Sequence, residues 1–261
     1  MTNQSFPVYI ISLADQDLRR SQMQEKMKHL GLDYEFLDAV DGRGQDVKQH
    51  PNYNGRARRL RAGRDLEGAE IGCFMSHKKA IEKMLSDGHE AAVILEDDVI
   101  LTDYFPKAIE ELLKIQNKWE LVRFLGSPKV ARLTQRKVAP LTDDHFLTRL
   151  KTTPSGAHAY LINKSGAEKL LKYMQKNVYP IDVLMGRSWQ TGIEMLTIQP
   201  GIAVHDEEME SAIGQTRFDK SLQLEPWEKA VYPLTRAMYK LGESVGKNYS
   251  YYKSYFKDKA A

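Results

Sequence analysis

Residues 7–13 form an unbroken β-branched and aromatic run, Pro-Val-Tyr-Ile-Ile-Ser-Leu, that reads as a buried strand. Residues 17–30 follow with Leu18, Met23, Met27 and Leu30 at helical spacing, and Gly31 stops the helix. Residues 34–40 read as a second strand ending at Asp41-Gly42. Strand, helix and strand within so short a stretch predict a βαβ unit, hence a parallel pair joined by a right-handed crossover. Ligands in such sheets bind beyond the carboxyl ends of the strands. Asp15 and Asp41 both fall there.

The pattern continues. Residues 43–69 are polar, carry Arg56, Arg58, Arg59, Arg61 and Arg64, and read as a long loop. A helix is expected over 70–87, a strand over 91–95, a helix over 104–116 and a strand over 119–125. Residues 129–152 suggest a hairpin, 157–162 a strand, 165–175 a helix, 195–198 a strand and 232–241 a late helix. Alternating strands and helices make the class α/β.

Composition excludes several alternatives. One cysteine, Cys73, rules out an internal disulfide framework and a cysteine-rich zinc site, and suits a reducing compartment. The apolar runs are a few residues long, far short of the ~20 that span a membrane, and the N-terminus has no basic-then-apolar leader. The expected location is the cytoplasm. Lys+Arg 38 against Asp+Glu 35 gives +3, too mild to imply nucleic acid. Residues 240–261 hold five lysines against Glu243 and Asp258, so the tail alone matches the whole excess. Lysines there interleave with Tyr249, Tyr251, Tyr252, Tyr255 and Phe256. That composition fits a segment lying on an anionic membrane, and equally a docked or frayed terminal helix.

The strongest chemical signal is Glu96-Asp97-Asp98, three carboxylates directly after the apolar Val93-Ile94-Leu95. Gathering them is costly unless a cation neutralises them, and oxygen ligands without cysteine suit Mg²⁺ or Mn²⁺. Strand alternation points Glu96 and Asp98 the same way. The plain alternative is a solvated acidic turn. Ser76, His77 and Lys78 lie within one helical turn; they suit phosphate, or form an ordinary polar face. Cys73 reads as a small buried hydrophobe. His205 follows a probable strand and precedes Asp206-Glu207-Glu208; it completes a carboxylate-rich metal site or stands alone at the surface. Asp182, among apolar neighbours, is a tuned general base or a helix N-cap. The arginines at 56–64 are a solvated surface or a phosphate patch.

Several of these segments, taken in order, resemble glycosyltransferase family 25. Residues 8–13 with Asp17-Leu18-Arg19-Arg20 resemble its opening motif, and Ala39-Val40-Asp41-Gly42 its second. Glu70-Ile71-Gly72-Cys73 with Ser76-His77, then Leu95-Glu96-Asp97-Asp98-Val99, then Ala159-Tyr160-Leu161-Ile162 with Gly166-Ala167, and Pro180-Ile181-Asp182 resemble later blocks. The likeness spans about residues 6–215. Ser12 departs from it, standing where the family commonly has Asn.

The resemblance implies a GT-A-like fold: a mostly parallel central sheet flanked by helices, with the nucleotide-sugar site at the strands' carboxyl ends. It places a catalytic domain over 1–215 and a helical, basic-aromatic extension over 216–261. It implies a UDP-sugar donor, Mn²⁺ or Mg²⁺, and transfer with inversion, as in bacterial lipopolysaccharide and lipooligosaccharide galactosyltransferases and their collagen-modifying relatives. On that reading Glu96, Asp98 and His205 hold the metal. Asp97 meets ribose, Asp41 the uridine, and Arg20 and Lys78 the phosphates. Ile11, Ser12, Leu13, Ser76 and His77 complete the nucleotide-sugar pocket. Ser155-Gly156 lets the sugar approach the backbone, and Asp182 is the catalytic base beside Asp98. The expected partners are UDP-galactose, a saccharide or lipooligosaccharide acceptor, and an anionic inner-membrane surface at the tail. A glucosyl or N-acetylhexosaminyl donor, a metal-dependent nucleotidyltransferase and a non-catalytic saccharide-binding module are the alternatives.

Overall fold

The computed structural model describes residues 6–152, 154–205 and 221–260. In chain order the elements are β1 (Val8–Ser12), α1 (Asp17–Leu30), β2 (Glu35–Asp38), α2 (Gly55–Ala62), α3 (Gly68–Ser86), β3 (Ala91–Glu96) and β4 (Val99–Leu101). Then come α4 (Phe105–Lys114), β5 (Leu121–Arg123), α5 (Pro128–Ala131), β6 (Gln135–Pro140), β7 (Phe146–Leu150) and β8 (Ala159–Asn163). The chain continues with α6 (Lys164–Tyr173), α7 (Ile181–Met185), α8 (Ser188–Thr191), β9 (Leu196–Gln199), β10 (Ala203–His205) and α9 (Pro226–Ala260).

The predicted βαβ unit is present: β1 pairs in parallel with β2 on one side and with β3 on the other. The eight-stranded sheet has the order β2-β1-β3-β8-β5-β9-β7-β6. Strand β8 runs antiparallel between β3 and β5, β5 and β9 are parallel, and the predicted hairpin β6–β7 closes the far edge against β9. Only β8 and β7 therefore run against the common direction. A separate antiparallel pair joins β4 to β10.

Alternation along β1 and β3 divides the core between the two faces of the sheet. Val8, Ile10, Val93 and Leu95 pack with Met23 and Met27 of α1 and Phe105, Ile109 and Leu112 of α4. Tyr9, Ile11, Ala92 and Ile94 pack with Phe74, Ile81 and Met84 of α3 and Leu170 of α6. Both faces are covered, which is why these strands read as continuous apolar runs.

Two sequence expectations need correction. The arginine-rich stretch is not a loop throughout: it contains α2, capped by the Asn54 side chain, which accepts from the Ala57 N–H at 3.0 Å, and closed by Gly63 at φ +83°. After Gly55 the residues between these signals are arginine, alanine and leucine, all good helix formers, and polarity masked them. The late helix begins earlier and ends later than residues 232–241, and α9 continues through Pro233. Packing holds it. Arg59 donates to both oxygens of the buried Glu228 at 2.8 Å, Thr235 donates to the Leu60 carbonyl at 3.0 Å, and Arg187 donates to the Tyr239 hydroxyl at 2.7 Å. Gly246 lies against the Trp189 ring, so close that a Cβ there would stand 2.4 Å from it.

Candidate active site

Strand β3 ends at Glu96, and Asp97-Asp98 form the turn into β4. The turn breaks the alternation, so the three carboxylates diverge. Asp97 accepts from the Ser12 hydroxyl at 2.6 Å, at the carboxyl end of β1, and from Arg19 of α1 at 3.1 Å. Arg19 also approaches Asp98 at 3.9 Å. Glu96 turns the other way, towards α3.

Helix α3 reaches Glu96 because glycine lets it come close. A Cβ on Gly72 would lie 2.5 Å from the Val40 carbonyl oxygen and 2.7 Å from the Gly42 nitrogen. Ser76 fastens this contact: its hydroxyl accepts from the Val40 N–H at 2.8 Å and donates to the Gly72 carbonyl at 2.7 Å. One residue on, the fully buried His77 ring lies between the Tyr160 hydroxyl at Nδ1, 3.1 Å, and Glu96 at Nε2, 3.0 Å. The Cys73 thiol donates to the same Glu96 oxygen at 3.6 Å. Burial pushes the Glu96 carboxyl up, but the His77 hydrogen bond and the charges of His77, His158 and His205 outweigh it, and the net shift is downward. Burial, then the Glu96 and Asp182 charges, drive the Cys73 thiol well above its ordinary range. Cys73, His77 and Glu96 each place one donor atom within 4.8 Å of the others.

Asp98 is the least satisfied member. Its Oδ1 is buried with no hydrogen-bond partner among the described residues. Its Oδ2 lies 3.8 Å from Nε2 of His205, which β10 holds opposite Val99. The His205 Nδ1 is likewise buried and unpartnered among the described residues. Burial, reinforced by Glu96, raises the Asp98 carboxyl to about 6. An orphaned carboxylate oxygen and an orphaned imidazole nitrogen, beside two more carboxylates, fit a hard divalent cation. The His158 ring is 6.2 Å from His205 and bonds the Phe124 carbonyl at 3.1 Å; burial lowers its pKa. Asp206, Glu207 and Glu208 lie outside the described residues.

Asp182 sits in the first turn of α7, accepting from the Gly156 N–H at 3.2 Å and its neighbour Val183's N–H at 2.7 Å. Gly156 has φ +109°, a conformation that side chains resist, and the adjacent Ser155 is exposed. Arg123 holds this loop from below. It is wholly buried and donates to the Pro154 carbonyl at 2.9 Å and, through Nε, to the Gly156 carbonyl at 3.1 Å. Burial lowers its pKa to about 10, opposed by the Asp182 charge.

Other expected site residues have partners within the protein. Asp41 is exposed and gripped by Arg43, with Nη2 to Oδ2 at 2.7 Å, and Arg43 also reaches Asp15 at 2.8 Å. The Arg43 hydrogen bonds lower the Asp41 carboxyl to about 2. Arg20 donates to the Ser12 carbonyl at 3.1 Å, pairs with Asp38 and stacks on Phe36. Lys78 pairs with Glu82. Ile11 is buried in the core and Leu13 is half-buried. Arg19, Arg43, Arg123, His158 and Tyr160 were not singled out from sequence. For Arg19 a signal existed: an arginine in the first turn after β1, facing an acidic strand end.

The family model for Glycosyltransferase family 25 (LPS biosynthesis protein) matches residues 6–185. The chain belongs to this family. A glycosyltransferase 25 family member of Aedes aegypti is 31% identical over 193 residues, covering 67% of this family 25 chain and 29% of the mosquito protein. A probable inactive glycosyltransferase 25 family member 3 of Rattus norvegicus is 33% identical over 135 residues, 47% of this chain and 23% of its own. Procollagen galactosyltransferase 1-A of Xenopus laevis is 26% identical over 176 residues, 63% and 28% respectively. The family 25 chain thus spans less than a third of these relatives. Among solved structures, a glycosyltransferase involved in glycosylation of the major capsid of PBCV-1 aligns with TM-score 0.42 and 10% identity, covering 79% of this chain and 95% of that one.

Proposed function

We propose that this chain moves galactose from UDP-galactose to a saccharide acceptor in lipooligosaccharide assembly, in the cytoplasm, with inversion at the anomeric carbon. Family membership supports the donor class. The observation that carries the reading is Asp98: a buried carboxylate with an open oxygen, beside His205, at the carboxyl end of a parallel strand. Asp98 and His205 would hold a divalent cation, while Glu96, expected from sequence as a third ligand, is turned to His77 and Cys73 and would add only its charge nearby. When bound, such an ion supplies Lewis-acid stabilisation of charge on a departing diphosphate.

The chain's own groups do the rest. Ser12 and Arg19 fix Asp97, and His77 fixes Glu96, so the acidic turn is pre-organised. The ion pairs of Arg20 and Lys78 are with the exposed Asp38 and Glu82, pairs worth roughly 0–1 kcal/mol, which a diphosphate outcompetes. In the transfer step the acceptor oxygen bonds to the anomeric carbon as the bond to the UDP oxygen breaks. Asp182 takes the acceptor's hydroxyl proton, and the N–H groups of Gly156 and Val183 hold that carboxylate in place.

The test is UDP release from UDP-galactose, UDP-glucose and UDP-N-acetylglucosamine, with and without a saccharide acceptor, in Mn²⁺ and in EDTA. Acceptor-dependent release, fastest with UDP-galactose and abolished by EDTA, is expected. Asp98→Asn should lose at least ~100-fold, and Asp182→Asn should lower kcat while donor KM holds. Full activity in EDTA would remove the metal role. Release of pyrophosphate from a nucleoside triphosphate instead would make the chain a nucleotidyltransferase.

A further inference from the structure

Helix α9 presents two faces. One is docked: Glu228, Tyr239 and Gly246 pack on α2 and α8 through the contacts described above. The other carries Trp227, Val231, Leu234, Met238, Leu241 and Val245, spaced by four and three residues in alternation, and continues through Tyr249 and Tyr252. Leu234, Met238 and Leu241 are 67%, 65% and 66% exposed. These side chains expose on the order of 800 Å², above the roughly 300–600 Å² of the largest apolar patch on a typical monomer. Over the 25 steps from Trp227 to Tyr252 the stripe runs about 38 Å at helical rise.

Charge decides what covers it. The acids among the described side chains of α9 are both engaged: Glu228 is buried against Arg59, and Glu243 is held by Lys247 at 2.7 Å with Lys240 at 3.8 Å. Lys253 is exposed at the edge of the stripe, whereas Lys229 and Lys240 lie roughly 160° and 140° round the helix from it and face away. Cations also sit on the stripe's aromatic rings: Arg56 is 4.6 Å from the Trp227 centroid, Lys253 5.6 Å from Tyr249 and Lys151 5.2 Å from Tyr252. A second copy facing this stripe would bring two basic rims together. The positions that carry partner-selecting charges in a coiled coil are Glu228, already held by Arg59, and the uncharged Ala230, Thr235, Ala237, Gly242 and Ser244. An anionic headgroup layer instead complements the rim, while Trp and Tyr rings suit the boundary between headgroup and acyl chain. No described helix is long and apolar enough to cross a membrane, and the docked face keeps α9 on the body of the protein.

We propose that α9 lies flat on an anionic lipid bilayer, with the Trp227–Tyr252 stripe in the interface and Arg56, Lys151 and Lys253 on the headgroups. This widens the sequence expectation, which confined membrane contact to the tail, and it stands whether or not the proposed transfer is right.

The experiment is co-sedimentation of the full chain with vesicles of phosphatidylcholine alone or with a quarter phosphatidylglycerol. It is run at about 0.1 M and about 0.5 M salt, with sedimentation velocity in parallel. Binding to the anionic vesicles, weakened by salt, is expected. The exposed-face variant L234E/L241E, with unchanged circular dichroism, should partition at least tenfold less. K151E/K253E, which keeps the stripe, should lose the preference for phosphatidylglycerol. The proposal is overturned if the parental chain stays in the supernatant, or if L234E/L241E binds as well as the parent. A dimer that L234E/L241E splits, without vesicle binding by the parent, would assign the stripe to a second copy.

Discussion

The same substitution, glycine to alanine within a helix, should have opposite effects at two positions of this protein. At Gly72 the new methyl meets three backbone atoms: the Val40 oxygen at 2.5 Å, the Gly42 nitrogen at 2.7 Å and the Gly42 Cα at 3.1 Å. None can rotate away, so α3 and the exit from β2 must separate. Overpacking of this kind costs about 1–3 kcal/mol, and backbone on every side puts it at the upper end. Alanine's better helix propensity returns about 1 kcal/mol. The net is a loss of about 2 kcal/mol, or roughly 4–8 °C in melting temperature for a chain of this size. At Gly242, in α9, a Cβ meets nothing within 4 Å, and only the propensity gain of ~0.5–1 kcal/mol remains. Thermal melts of the two single variants are the assay. A Gly72→Ala protein that melts at or above the parental temperature would refute the close-approach account of the Gly42–Gly72 contact. Because Ser76, His77 and Cys73 ride on the same segment of α3, Gly72→Ala should also cost activity beyond its effect on folding.

Two further outcomes follow from buried ionisable groups. The Arg59 hydrogen bonds hold the Glu228 carboxyl below its ordinary value of 4.5, so their contribution to stability is fully present above about pH 4.5 and fades as pH falls through the lower folded value. The melting-temperature gap between parent and Glu228→Gln should therefore narrow below about pH 4.5; a gap constant from pH 3 to 7 would contradict this. The Cys73 thiol, raised by burial and by Glu96, should react with Ellman's reagent at pH 8 at least ~10-fold more slowly than a free thiol, and at the free rate in denaturant.

The sequence shows what local pattern encodes. The βαβ opening is visible because β1 is buried on both faces and reads as an apolar run up to Ser12, and because Gly31 stops α1 before β2. The acidic triplet is visible because charge directly after such a run is rare. Contacts across long chain separations are not visible: nothing near Ser12 announces Asp97, and nothing near Arg123 announces the loop at Gly156. Two misreadings have one cause. Arginines at 56–64 read as a loop, and the late helix read as only residues 232–241, because each segment was weighed alone. In the fold α2 and α9 cover each other, and their mutual packing overrides both local signals.

The divergence of the three carboxylates explains why one of them is left open. Had β3 continued past Glu96, Glu96 and Asp98 would share a face and repel at short range. The turn instead gives Glu96 to His77 and Cys73, and Asp97 to Ser12 and Arg19. Among the described lysines and arginines, Arg19 alone comes within 4 Å of Asp97 and Asp98, so one guanidinium is shared between two acids and leaves a negative excess beside Glu96. That excess is concentrated on Asp98, whose partnerless oxygen and raised pKa are two expressions of it. A dication cancels it and gives the buried oxygen the partner it lacks, so neutralisation and hydrogen-bond satisfaction lead to the same occupant.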